Sequence, residues 1–198
     1  MTWQNSSYVL SMVEPSVCRA FSPGHITGFF EICDTPSHPC KKGSRGAGIN
    51  LSLGAFSTVQ VTESPKKKID IILNGKQSIA PVTRRAIHYL IGEQKIHVVA
   101  QITTQMPHGQ GFGMSAAGSL ATTLSLAHLL HLPKQKGVEA AHCAEIDLKT
   151  GLGDVVAMSV GGIEIRATPG LEGRIKKIPG EGDLVLVVLG PKINTWDI

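Results

Sequence analysis

The sequence predicts an α+β fold with a mixed or antiparallel sheet packed against helices. Three observations predict it. Strand-like runs come first, helical patterns fill the middle and strand-like runs return at the end, an order that favours α+β over a doubly wound parallel sheet. A glycine-rich stretch, Pro107–Ser119, follows a strand-like run and opens a long apolar helical pattern. The chain has 198 residues, 42% apolar and 17% charged, the composition of a packed domain rather than a disordered one.

Residues 1–16 read as a polar lead-in. Val17–Phe21 reads as a short strand, broken by Ser22-Pro23-Gly24; residues 34–46, rich in Pro, Gly, Ser and Lys, read as a loop. Ala47–Thr62 places Ile49, Leu51, Leu53, Val59 and Val61 in alternation and reads as one long or bent strand, with a bulge at Gly54. Ile69–Leu73 is expected to pair with it as a hairpin, and Asn74-Gly75 marks the next turn. Ile79–Ile91 reads as a helix with Pro81 in its first turn and a stop at Gly92. Ile96–Thr103 is the next strand. Ala117, Leu120, Leu124, Ala127 and Leu130 then recur at helical spacing over residues 114–131, and Pro133 ends that helix. A second helix is expected over 135–149, then a tight turn at Gly151-Leu152-Gly153-Asp154. Gly162–Ala167, Arg174–Ile178 and Leu184–Leu189 read as an antiparallel meander.

Net charge is +4, enough to help attract anionic small molecules but too small and scattered to argue for nucleic acid. No apolar run has the length of a membrane span, and the first residues lack a charged start and an apolar signal core, so a cytoplasmic location is expected. The four cysteines, at 18, 33, 40 and 143, form no Cys-x-x-Cys pair and are expected to be reduced, mostly structural thiols. Cys33, His38 and Cys40 match no standard zinc spacing.

Four places could carry chemistry. In Pro107-His-Gly-Gln-Gly-Phe-Gly-Met-Ser-Ala-Ala-Gly-Ser119, glycines 109, 111 and 113 allow sharp turns and leave N–H groups free to face an anion. A helix N-terminus just behind adds unpaired donors and a positive dipole end. The stretch lacks the Gly-Lys-Ser/Thr of a P-loop, and such a loop also serves as a packing device. Glu145 falls on a helix face with Val138, Ala141 and Leu148. A carboxylate there needs either a basic partner or a metal, and a hard cation such as magnesium fits a carboxylate, a serine and phosphate oxygens. Asp154, after Gly151-Leu-Gly, suits an N-cap and equally a group facing a substrate hydroxyl. His25 lies in a shaped Ser22-Pro-Gly-His-Ile-Thr-Gly-Phe-Phe30 segment.

Together these places resemble the GHMP kinases, the superfamily of galactokinase, homoserine kinase, mevalonate kinase and phosphomevalonate kinase. The order matches: an early Pro-Gly motif at 22–25, a phosphate loop at 107–117, a helix glutamate at 145, and a Gly-x-Gly-Asp turn before the Gly161-Gly162 strand. The resemblance covers nearly all of residues 17–195. Pro-Gly-His-Ile-Thr-Gly-Phe-Phe, Gly-Gln-Gly-Phe-Gly-Met-Ser and the Gly-Ser-Arg-Gly-Ala-Gly run at 43–48 most resemble the archaeal pantoate kinase subgroup.

The resemblance implies the ribosomal protein domain 2-like N-terminal fold over residues 17–190. It implies that Pro107, Gly109, Gln110, Gly111, Phe112, Gly113, Met114, Ser115 and Ala116 hold ATP, and that Ser115 and Glu145 hold magnesium. Asp154 would be the base or orienting group for the attacking hydroxyl, and His25 would either substitute, when protonated, for a lysine that activates the aspartate or contact the substrate. The partners would be ATP and a small hydroxy acid, whose carboxylate would meet Ser44 and Arg45. Three departures stand out. His25 replaces the lysine of mevalonate kinase-like members, Met114-Ser115 leaves one hydroxyl where many members have two serines, and the sequence stops at residues 191–198, about where a C-terminal domain would begin. Apolar surface beside an absent domain would favour a homodimer. Three other readings stay open: another small-molecule kinase of the superfamily, of shikimate, homoserine or mevalonate type; a nucleotide-binding domain without catalysis of its own; and a purely structural module of the same half-fold.

Overall fold

A computed structural model of the chain describes residues 16–188 and residue 190. One mixed sheet carries the molecule. Its strands are β1 (Ser16–Cys33), β2 (Gly43–Glu63), β3 (Lys68–Leu73), β4 (Lys76–Gln77), β5 (Ile96–Thr104), β6 (Ile163–Arg166) and β7 (Ile175–Ile178). The helices are α1 (Pro81–Ile91), α2 (Met114–Leu129), α3 (Lys134–Leu148) and α4 (Asp154–Val160). The strand order is β4-β3-β5-β2-β6-β7, with β1 pairing along β2. The α+β class and the mixed pairing are as the sequence predicts.

β2 organises the sheet. Its second half, Ala55–Glu63, pairs antiparallel with β5, and its first half, Gly46–Ile49, pairs antiparallel with β6. β1 follows β2 over nearly its whole length, with register shifts at Pro23/His25 and Thr27/Phe29. Ser22-Pro23-Gly24 is therefore an irregularity inside a strand and not its end. Gly43–Gly46, expected in a loop, is already strand because it pairs with Phe30–Cys33.

Two further expectations are corrected. Ile69–Leu73 does not form a hairpin with β2; it pairs parallel with β5, which lies between the two. α1 is the crossover of this β-α-β unit. The reason is burial: Ile71, Val98 and Ala100 are fully buried, and such a pair needs a helical cover. Residues 184–188 form no strand, leaving Val185 92% exposed, and Leu189 lies outside the described residues. Among the described residues this apolar run has no ladder partner, and β7 is the last strand of the sheet. Residues 1–15 and 191–198 likewise lie outside the described residues.

α2 is buried on nearly every side, from Met114 to Ala127. Its polar side chains are satisfied locally: Thr122 Oγ1 donates to the Gly118 carbonyl, and Ser125 Oγ to the Ser57 carbonyl at 3.2 Å. α3 approaches it closely at Gly137, where a Cβ would lie 2.8 Å from the Thr123 carbonyl oxygen. Val59, Val61, Ile71, Val98 and Ala100 pack with Ile87, Ile91 and Leu126 in one core. A second core, with Met106, Phe112, Met114, Leu120, Val155 and Met158, lies under the glycine loop and fixes its base.

Candidate active site

The glycine loop runs from the end of β5 into α2. Gly109, Gly111 and Gly113 have φ of 71°, 78° and 62°, the left-handed region that side chains disfavour. Gly113 is the N-cap of α2 and no side chain caps that end, so the first-turn N–H groups face outward as donors. Phe112 and Met114 are buried, while Ser115 lies exposed on the first turn. Gln110 reaches the Gly190 carbonyl at 3.3 Å. The loop is braced from β1, because the His25 backbone N–H donates to the Phe112 carbonyl at 3.1 Å. Gly24 leaves space for the methyl ends of Met106 and Met114.

A cavity of about 540 Å³ adjoins the loop, lined by Leu73, Ile79, Pro81 and Ile102 and reaching Met114, Ser115 and Gly118. That is the volume and apolar character of a small-molecule site. At its rim Ala80 holds φ 36°, an unusual conformation for alanine, and forms the N-cap of α1. The sequence reading did not include this wall.

Asp154 stands opposite the loop. Gly153, not Asp154, is the N-cap of α4, so the carboxylate is not spent on capping. Its Oδ1 lies 2.9 Å from His25 Nδ1. Its Oδ2 points toward Gly113, 3.4 Å from where a Cβ would stand. His25 is fully buried, and its other nitrogen, Nε2, lies 3.2 Å from Glu164 Oε1. Glu164 also accepts from Arg166 Nη1. Burial alone would lower the His25 pKa, but the carboxylates of Asp154 and Glu164 raise it above the ordinary histidine value.

Glu145 is 2% exposed on α3. No lysine or arginine pairs with it among the described residues. The Val155 N–H donates to its carboxylate, yet burial, and then the charge of Asp154, push its pKa well above the glutamate range. Its Oε2 has no hydrogen-bond partner. Gly151 makes room for the group, since a Cβ there would lie 2.7 Å from Oε1. A buried carboxylate oxygen without a partner fits a hard cation that takes its other oxygens from a ligand. Leu148, expected on the same buried face, is 39% exposed.

The two residues expected at the acceptor carboxylate separate. Ser44 is buried and faces Gly153, whose Cβ would lie 2.4 Å from Ser44 Oγ. Arg45, next along β2, points the other way and pairs with Glu31 at 2.8 Å on the exposed side. Alternation along a strand forces this division. The guanidinium that flanks Gly153 beside Ser44 is that of Arg166, with Nε 3.0 Å from the same position. The sequence reading missed Glu164 and Arg166. Their signal was an inverted strand, Ile163-Glu-Ile-Arg166, in which the charged residues are buried and Ile165 is 37% exposed.

The cysteines are free thiols. Cys40 Sγ and Cys143 Sγ lie 3.1 Å apart, joining the turn before β2 to α3. No group of three or more His, Cys, Asp or Glu that could hold a metal occurs among the described residues. Among those residues, no helix is long and apolar enough to cross a membrane.

Residues 79–162 match the family described as GHMP kinases N terminal domain. The pantoate kinase of Thermococcus kodakarensis is 38% identical over 162 residues, 77% of this chain and 52% of that protein. The pantoate kinase of Methanocaldococcus jannaschii is 36% identical over 169 residues, 85% of this chain and 60% of that protein. A solved structure titled a phosphotransferase related to the CoA biosynthesis pathway superposes with a TM-score of 0.78 at 34% identity, covering 84% of this chain and 58% of that one. The chain thus spans 52% to 60% of the length of these curated relatives.

Proposed function

We propose that this chain, whose residues 79–162 match the GHMP kinases N terminal domain, is the ATP-binding part of a small-molecule kinase whose acceptor is pantoate. The γ-phosphoryl group of ATP would pass to a pantoate hydroxyl, giving 4-phosphopantoate and ADP, a step toward coenzyme A. The observation that carries this reading is the Asp154 carboxylate, with one oxygen held by His25 and the other turned toward Gly113 at the start of α2. A group that accepts a hydroxyl proton beside an anion cradle is what phosphoryl transfer asks of a protein.

Each residue then has a task. The N–H groups of the Gly109–Ala116 turn would bind the phosphates, and the cavity beside Ser115 would take the nucleoside. Glu145 and Ser115 would hold magnesium, whose positive charge offsets that of the phosphate oxygens when bound. Asp154 Oδ2 would orient the acceptor hydroxyl and take its proton. His25 holds the opposite oxygen and so fixes the carboxylate's direction. Ser44 would meet the acceptor carboxylate, with Arg166 rather than Arg45 as the adjacent cation.

The test is ADP release by this 198-residue chain with pantoate, shikimate, homoserine or mevalonate as acceptor. Release that depends on pantoate and on magnesium supports the proposal. Phosphorylation of another acid in its place removes the substrate assignment. Calorimetric ATP binding without turnover on any acceptor reduces the chain to a nucleotide-binding domain. Absence of any nucleotide effect on thermal stability would leave only a structural module.

A further inference from the structure

β6 is built against the usual rule. Its charged residues are inside, Glu164 at 0% and Arg166 at 3% exposure, and Ile165 is outside. A buried ion pair of this kind is poor value for stability, since well-packed apolar residues of similar volume often do as well or better. The register shows what the pair does. Glu164 stands opposite Gly48 on β2, and Arg166 opposite Gly46. The missing side chain at Gly48 leaves the space that the His25 ring fills: a Cβ there would lie 2.2 Å from Nε2. Glu164 Oε1 accepts from Arg166 and faces His25 Nε2 at 3.2 Å, while His25 Nδ1 faces Asp154 Oδ1 at 2.9 Å. An ionised carboxylate only accepts hydrogen bonds, so a ring between two of them has a proton on each nitrogen.

We propose that Glu164, backed by Arg166, is a positioning residue that holds His25 as an imidazolium between two carboxylates and so aims Asp154 at the glycine loop. The groups that face His25 are Asp154 from α4, Glu164 and Arg166 from β6, and Thr27 Oγ1 at 3.5 Å from its own strand. The two carboxylates outweigh both the burial and the repulsion from Arg166, in keeping with the raised pKa of His25. In this scheme Glu164 touches no reacting atom and acts through the imidazole, and Arg166 supports it there by pairing with Glu164. The consequence for activity rests on the phosphotransfer reading of Asp154, but the charge state of His25 does not.

The experiment uses the full chain labelled with ¹⁵N-histidine. Ring-nitrogen NMR signals are followed from neutral to alkaline pH. The wild type should keep both His25 nitrogens protonated through neutrality. Glu164→Gln, isosteric and neutral, should lower the midpoint of deprotonation by about one unit or more, and Arg166→Gln should raise it. Opposite shifts from two neighbours on one strand are not what a merely structural loss produces. Glu164→Asp should restore part of the wild-type midpoint. A single protonated nitrogen at neutral pH in the wild type overturns the proposal, and that measurement stands even where a variant fails to fold. An unchanged midpoint in folded Glu164→Gln overturns it as well. Where the chain turns over pantoate, the alkaline limb of its kcat/KM profile should move to lower pH in Glu164→Gln; lack of turnover reduces the chain to a nucleotide-binding domain and leaves the NMR result to decide this one.

Discussion

Replacing Gly48 by alanine tests whether the site depends on the seat of His25. A Cβ at position 48 would lie 2.2 Å from His25 Nε2, 2.7 Å from its Cε1 and 2.7 Å from the Ile26 carbonyl oxygen. Ordinary contact between such atoms is about 3.5 Å, so the ring must retreat by roughly 1 Å. It has little room, because the side chain is 0% exposed and its nitrogens lie 2.9 Å from Asp154 and 3.2 Å from Glu164. A retreat of that size carries at least one contact beyond hydrogen-bonding range. Losing a hydrogen bond to a charged group costs about 1.5–3 kcal/mol, and overpacking adds about 1–3 kcal/mol. The expected destabilisation is about 3–5 kcal/mol, which lowers Tm by roughly 10 °C in a domain of this size. Thermal and urea unfolding followed by circular dichroism measure it. Gly75→Ala is the control: φ is 77° and nothing lies within 4 Å of its Cβ. It incurs only the left-handed backbone penalty, about 1–2 kcal/mol. A Gly48→Ala chain melting within about 2 °C of wild type, or above Gly75→Ala, refutes the reasoning.

Three further outcomes are expected. His142 Nε2 donates to the Lys42 carbonyl at 3.0 Å, and burial pulls its pKa down to about 4 from 6.5. A lowered folded-state value means the unfolded chain binds the proton first, so this stability is full above 6.5 and is lost as pH falls toward 4. Urea titrations at several pH values should show a loss of roughly 3 kcal/mol across that window, with the slope reduced in His142→Gln. Asp154→Asn should cut pantoate-dependent ADP release by about 100-fold or more while calorimetric ATP affinity holds, and full activity would end its role as base. Glu145→Gln should reduce the magnesium-dependent gain in ATP affinity by about tenfold or more without weakening metal-free nucleotide binding; equal magnesium dependence in both chains would remove Glu145 as a ligand.

The site was partly legible in the sequence because its backbone requirements are written in glycine. Gly109, Gly111 and Gly113 all take positive φ, and Gly151 opens the space for Glu145. Pro81 and Gly92 bound α1 as expected, since one has no N–H to lose and the other takes φ 53°. What failed was pairing. Nothing local in Ile69–Leu73 tells a hairpin partner from a parallel one, and the choice was made by β5, which enters between β2 and β3 after α1. Residues 184–188 form as apolar a run as a strand does, but an apolar run is only permission to pair. Arg45 was expected at the acceptor because it sits beside Ser44 in sequence; the strand puts adjacent residues on opposite faces, and Arg166 arrives from β6 in its place. Glu164 was invisible for the converse reason. A charged residue between isoleucines reads as solvent-facing until a glycine on the next strand makes a cavity for its partner.

The arrangement of charge around Asp154 bears on the proposed nucleotide and cation sites. Three carboxyl groups, Glu145, Asp154 and Glu164, gather around Arg166 and the imidazolium proposed for His25. The excess is not shared evenly. Glu164 faces both through Oε1, although its Oε2 has no partner, and Asp154 faces one, while Glu145 has a single backbone N–H, an oxygen with no partner and no cation. The unmet demand for positive charge is therefore at Glu145, on α3. The unmet demand for negative charge is at the uncapped start of α2, where Gly113 faces Asp154 Oδ2. A free phosphate would satisfy only the second, and a free divalent cation only the first. A metal–nucleotide complex satisfies both at once, and it does so with Asp154 already held by His25 at its far oxygen. Replacing His25 by lysine, the residue of mevalonate kinase-like members, would supply the same charge from a mobile stem without the second nitrogen that Glu164 engages, so the direction of Asp154 would no longer be set from β6.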